Sequence, residues 1–200
     1  MKILIFSIAM TATNLMACNT NDNKASETTK SEVTKDTLAQ QSATADTVAQ
    51  ASTGTVFPVK EIIGRYLQVK NALAKDNSKD AANAGNELVA SLAQIDPTKL
   101  SPEQQKSYTE LADDLNEHAE HIGSNPGKIE HQREHFMMMS KDIADLVKTF
   151  GNAGQTLYKD FCPMANDGKG ATWISEVKEI KNPYLGSKMP DCGTLKETIK

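Results

Sequence analysis

Aromatic residues are scarce in this chain, at 5% of its 200 positions, and only 38% of it is hydrophobic. That composition supplies one core of helical type and excludes two large ones. No apolar run downstream of the first seventeen residues approaches the ~20 residues that a bilayer-spanning helix needs. Basic residues form no stripe and the formal net charge is −4, so the electrostatic footprint of a nucleic-acid binder is missing. The chain also lacks a C-x-x-C-H haem motif, a phosphate-cradling glycine loop and a G-x-S-x-G elbow. Cysteine occurs three times, as Cys18, Cys162 and Cys192.

What is present begins at the N-terminus. Lys2 gives a positive start, Ile3 to Met10 an apolar stretch, and Ala17 a small residue directly before Cys18. This is the layout of a secretory signal of the bacterial lipoprotein type. Residues 1–17 are expected to be cleaved as a signal peptide, leaving Cys18 to carry the lipid, palmitate included. The membrane is then reached through the lipid alone, on the periplasmic side of the envelope, and Asn19 points to the outer rather than the inner membrane. In that oxidising compartment the two remaining cysteines are either a disulfide or a soft-metal pair.

Residues 18–54 are polar and small, with a near-repeat of Asp36-Thr37-Leu38-Ala39-Gln40 in Asp46-Thr47-Val48-Ala49-Gln50. So little apolar surface cannot offset the entropy of ordering, and the segment reads as a disordered tether. Residues 55–200 read as the folded domain. Val59, Ile62, Ile63, Tyr66, Leu67 and Leu73 recur at helical spacing. Ser78 is the expected cap of a second helix carrying Leu88, Val89, Leu92 and Ile95. Ser101-Pro102-Glu103-Gln104 is a capping-box start for a third, which ends at Gly123. Pro126 is expected to open a fourth, closed by Gly151. The fold class predicted is mainly α, an up-down four-helix bundle. Residues 152–200 read as an irregular C-terminal tail packed on it. Two short strands are expected there, Leu157 to Phe161 and Ala171 to Ile174, joined through a turn at Asp167-Gly168.

The residues with chemistry are concentrated. His118, His121, His131 and His135 fall within eighteen positions, and Met137, Met138 and Met139 follow directly. Projected at about 100° per residue, His131, His135 and Met138 form a stripe away from the core face of the fourth helix. His118 lies on the flank of the third helix's apolar face and His121 nearly opposite that face. An antiparallel hairpin brings His118 level with His131, so His118, His131 and His135 are a candidate metal site. Alternating His and Glu here also describes a solvated helix face. In the tail, Cys162-Pro163-Met164 and Met189-Pro190-Asp191-Cys192 place a thioether near each thiol. Thiolate and thioether sulfur select Cu(I), and imidazole also suits copper. A Cys162–Cys192 disulfide would instead close a loop of about thirty residues, contributing roughly 3–4 kcal/mol. His131-Gln132-Arg133-Glu134-His135 also fits H-x-x-E-H, the inverted zinc-protease pattern. The chain offers no large second half to form a substrate cleft, so no catalytic residue is assigned and the protein is not read as an enzyme.

Residues 57–200 resemble a family, known as a domain of unknown function, that occurs in periplasmic lipoproteins and fused to the adaptor subunits of heavy-metal efflux pumps. The resemblance rests on Tyr66-Leu67-Gln68-Val69-Lys70-Asn71-Ala72-Leu73, on Ile129-Glu130-His131-Gln132-Arg133-Glu134-His135-Phe136, and on the tail. The tail residues are Cys162-Pro163-Met164-Ala165, Trp173, Ser175, Asn182-Pro183-Tyr184, Gly186, Met189 and Cys192-Gly193. Cys-Pro-Met also resembles the opening of a short heavy-metal-binding module of copper efflux systems, which continues with a histidine where Ala165 stands here. The resemblance implies copper or heavy-metal handling.

The expected function is therefore that of a lipid-anchored protein binding a soft metal, Cu(I) first, and presenting it to an efflux or resistance system. Its expected ligands are Cys162, Met164, Met189 and Cys192, then His131 and His135, then His118 and Met138. The expected partners are the membrane, through the lipid, and a periplasmic efflux adaptor or metal donor. The alternative is a metal-independent interaction module in which a Cys162–Cys192 disulfide staples the tail.

Overall fold

The structure, a computed structural model, describes residues 58–200. The expected signal peptide, lipidated Cys18 and tether lie outside the described residues. Four helices come first: α1 (Val59–Ala74), α2 (Ser78–Ala93), α3 (Pro102–Ser124) and α4 (Ile129–Phe150). They pack in chain order, and α1 meets α4 to close an up-down bundle. Each helix turns one apolar stripe inward. Ile62, Ile63, Tyr66 and Leu73 of α1 are fully buried, as are Leu88 of α2, Leu115 and Ile122 of α3, and Phe136, Met139 and Ile143 of α4. Tyr66 stacks on Phe136 with ring centroids 5.1 Å apart.

Helix ends follow local chemistry. Ser101 and Gln104 form the capping box at the start of α3, with Pro102 in its first turn. The cap of α2 is Asn77 rather than Ser78, its side chain accepting from the backbone N–H of Asp80. This frees the Ser78 hydroxyl for a long-range role. It donates to Gln132 Oε1 at 2.7 Å and accepts from the backbone N–H of Gly127, also at 2.7 Å. α4 begins at Ile129 rather than Pro126, because Asn125 to Lys128 form a turn closed by a bond from Lys128 N to Asn125 O. Gly127 in that turn has φ +86°, which a side chain would oppose. α2 and α3 approach closely at Gly85, where a Cβ would stand 2.9 Å from the Ala119 carbonyl oxygen.

The tail carries three antiparallel strands, β1 (Leu157–Cys162), β2 (Ala171–Ser175) and β3 (Thr194–Ile199), in the order β2-β1-β3. The first two lie where the sequence placed them, and Tyr158 pairs with Ser175 and Cys162 with Ala171. β3 was not foreseen. Its six residues are exposed or half-buried, so it has no apolar alternation to reveal it. Asn182 organises the loop before it: its side-chain oxygen accepts from the N–H groups of Tyr184 and Leu185, and its amide donates to the Cys192 carbonyl. The sheet rests on the bundle through α1 and α4. Tyr66 Oη accepts from Ile174 N at 3.0 Å, and buried Lys70 donates to Ser175 Oγ and to Glu176. Among the described residues, no helix is long and apolar enough to cross a membrane.

Candidate metal centre

The α3–α4 hairpin brings all four histidines together. His118 and His121 lie one turn apart on α3, and His131 and His135 one turn apart on α4. Two residues of α4 set its height and rotation. Gln132 is fully buried between them, its amide donating to the carbonyls of Ile122 and Ser78, each at 3.0 Å. Arg133 donates from Nε to the Pro183 carbonyl and from one terminal nitrogen to the Leu73 carbonyl and Asp76. With both directions pinned, His131 and His135 are left on the side of α4 that meets α3.

One ring nitrogen each from His121, His131 and His135 lies within 4.8 Å of the others. An ion about 2.0–2.1 Å from every imidazole nitrogen needs those nitrogens no more than about 4 Å apart. At 4.8 Å the set is a little wider than a bound ion requires. His121 is stacked on His135 with centroids 4.0 Å apart and planes 7° apart. His121 is exposed, whereas His131 is half-buried and His135 buried. Three imidazoles converging in this way suit a first-row transition metal.

The environment keeps His135 in its ligating form. Burial, and then the three other imidazoles, pull His135 down to about 4, so it is neutral at physiological pH. His118 is likewise lowered, first by burial. His131 Nδ1 lies 3.4 Å from Glu134 Oε2, an orienting contact that leaves Nε2 free. Glu134, the acid of the H-x-x-E-H pattern, is thus turned to its own neighbouring histidine.

Of the residues expected to bind metal, His131 and His135 meet directly. His118 is in the cluster but is bonded to His135, Nδ1 to Nδ1 at 3.3 Å. His121, assigned no role from sequence, takes its place. A projection of α3 about a single apolar face set His121 outside, because it ignored that α4 approaches α3 from the flank. Met138 is half-buried one turn beyond His135, and Met139 is the member of the methionine run that enters the core. The sulfur set fares differently. Cys162 and Cys192 are joined in a disulfide with Cα atoms 5.7 Å apart. That bond consumes both thiolates, so the expected Cys162, Met164, Met189 and Cys192 site has no anionic sulfur to offer an ion. Met164 and Met189 are exposed, and Met164 lines a surface groove with Met137 and Glu134.

Residues 62–155 match the family described as Protein of unknown function (DUF3347). The match runs through α1 to α4 and contains every histidine. It stops before β1, so the disulfide and the sheet lie beyond it. No curated protein and no solved structure matches the chain.

Proposed function

We propose that the protein binds a transition-metal ion, copper first, at His121, His131 and His135, and that it does so as a lipid-anchored protein of the cell envelope serving metal resistance or efflux. The observation that carries the metal reading is the convergence of three imidazole nitrogens within 4.8 Å. Without thiolates the donor set is of intermediate softness, and affinity at such a site rises along the first-row series to peak at copper. Zinc is the next ion to fit three imidazoles. Anchoring through Cys18 rests on the signal layout of the first eighteen residues. Delivery to a periplasmic efflux adaptor rests on the resemblance in helix and tail motifs. The role is binding and presentation rather than catalysis.

Competition titrations of the intact chain with Cu(II), with Cu(I) under anaerobic conditions and with Zn(II) test the proposal. One equivalent of copper should bind. His131→Ala should weaken it by more than the about 10–100-fold that loss of an outer partner costs. Binding unchanged in His131→Ala and His121→Ala would remove the site. The disulfide favours a second reading, in which the tail is stapled as an interaction surface and no metal is required. A chain that binds none of the three ions, with both cysteines oxidised, would support that reading.

A further inference from the structure

Asp142 stands one turn beyond Met138 on α4, with carboxylate oxygen Oδ2 buried and without a hydrogen-bond partner among the described residues. A buried carboxylate oxygen is costly to leave unpaired, and its surroundings should explain it. The group it faces is His118, whose Nε2 is 3.8 Å away. This distance is that of a charge-oriented contact rather than a full hydrogen bond. On the other side of the same ring, His118 Nδ1 is 3.3 Å from His135 Nδ1. Three groups from two helices thus stand in line: Asp142, His118, His135.

The line has one consistent proton arrangement when both rings are neutral and Asp142 is ionised. A carboxylate only accepts, so it favours the tautomer of His118 with hydrogen on Nε2. His118 Nδ1 is then a bare lone pair and can only accept. The 3.3 Å contact therefore requires His135 to donate from Nδ1, which leaves His135 Nε2 without hydrogen. We infer that Asp142 and His118 are positioning residues that hold His135 in the Nδ1–H tautomer, so that Nε2 is the nitrogen presented to an ion. The consequence for metal affinity rests on the proposed function; the tautomer does not. A ligating histidine is commonly oriented by an outer acceptor on its other nitrogen, and here that acceptor is a second histidine steered by a carboxylate.

Long-range nitrogen–proton correlation spectra of the metal-free, nitrogen-15-labelled chain at neutral pH read the tautomer directly. Hydrogen on His135 Nδ1 and on His118 Nε2 is the expected pattern. His118→Phe keeps a ring in the same space but removes the acceptor, and should move the His135 hydrogen to Nε2. His118→Asn restores an acceptor near the Nδ1 position and should restore the pattern. Titrated with Cu(II), His118→Phe should bind about 10–100-fold more weakly than the wild type, and His118→Asn should recover most of that loss. A wild-type His135 carrying hydrogen on Nε2 would overturn the relay whatever the metal data, and so would a pattern unchanged by His118→Phe. The expected tautomers in a chain that binds no copper would keep the relay and defeat the metal site.

Discussion

Replacing Cys162 and Cys192 together with alanine should lower stability by roughly 3–4 kcal/mol and leave copper affinity within about twofold of the wild type. The first figure follows from the 30-residue separation of the two cysteines, through the loop entropy that the bond removes from the unfolded chain. Besides the disulfide, the irregular stretch between β2 and β3 is held by a short helical turn at Gly186–Lys188, by the hydrogen bonds of Asn182, and by bonds joining Pro183 to Arg133, Ser187 to Asp76 and Tyr184 to Thr172. Cys162 is fully buried, so its loss also removes packing. The second figure follows because the imidazoles are held by Gln132 and Arg133, whose hydrogen bonds run to Ser78, Ile122, Leu73, Asp76 and Pro183 rather than to either cysteine. Urea unfolding of the oxidised wild type and the double variant gives the stability difference. A large fall in copper affinity with little loss of stability would return the metal to the sulfur residues.

Asp160 should make the protein less stable as the pH rises from about 4 to about 6. It lies fully buried in β1 opposite Trp173, and neither its carboxylate oxygens nor the Trp173 indole N–H has a partner among the described residues. Burial pushes its carboxyl up to about 6, against a smaller pull from Lys70. The folded protein therefore holds this proton over a range where the unfolded chain has released it. Linkage then makes stability fall with rising pH, fully favourable below the unfolded value of 3.8 and lost once pH passes about 6. At about 1.4 kcal/mol per pH unit, the loss is about 3 kcal/mol. Asp142, also raised to about 6 by burial and by Asp114 and Asp145, adds a fall of the same sign. Asp76 acts oppositely: bonds from Ser187 and Arg133 hold it at about 2, so its contribution disappears only in stronger acid. The difference between wild type and Asp160→Asn isolates the one group. Unfolding free energies at pH 4 and pH 7 should converge at the lower pH, with the variant more stable at the higher. Parallel curves would show that Asp160 is solvated in the folded state.

Much of the helical architecture was legible because local and tertiary signals agree there. The α3 capping box, the α1 stripe from Val59 to Leu73 and the Gly151 stop each reflect a short-range rule. Errors arose where a residue serves a distant partner. Ser78 reads as a cap but is used by Gln132 on α4, and Asn77 takes the cap instead. β3 is paired only along one edge of β1 and is exposed on its faces, so its pairing leaves no mark in its composition. In the candidate site, His131 and His135 could be joined by their spacing. His121 could not, because its role depends on which flank of α3 the next helix covers. The sulfur pairs were misleading for a chemical reason: two cysteines beside two methionines look the same whether or not the thiols have been oxidised to one another.

The imidazoles that meet are close in the chain, with His118 and His135 only 17 positions apart. The bonds that seat the sheet on α1 span 105 and 108 positions. Closing a short loop costs less entropy, and contacts of short range tend to form early. The hairpin of α3 and α4 can thus assemble its nitrogen donors while the tail is still unattached. An ion bound at that stage would pull the helices together before the rest of the chain arrives, raising the folding rate as well as the final stability. The cysteine link, which joins a late-arriving part, should act mainly on the rate of unfolding. Refolding and unfolding rates with and without copper would separate these two staples by the time at which each takes hold.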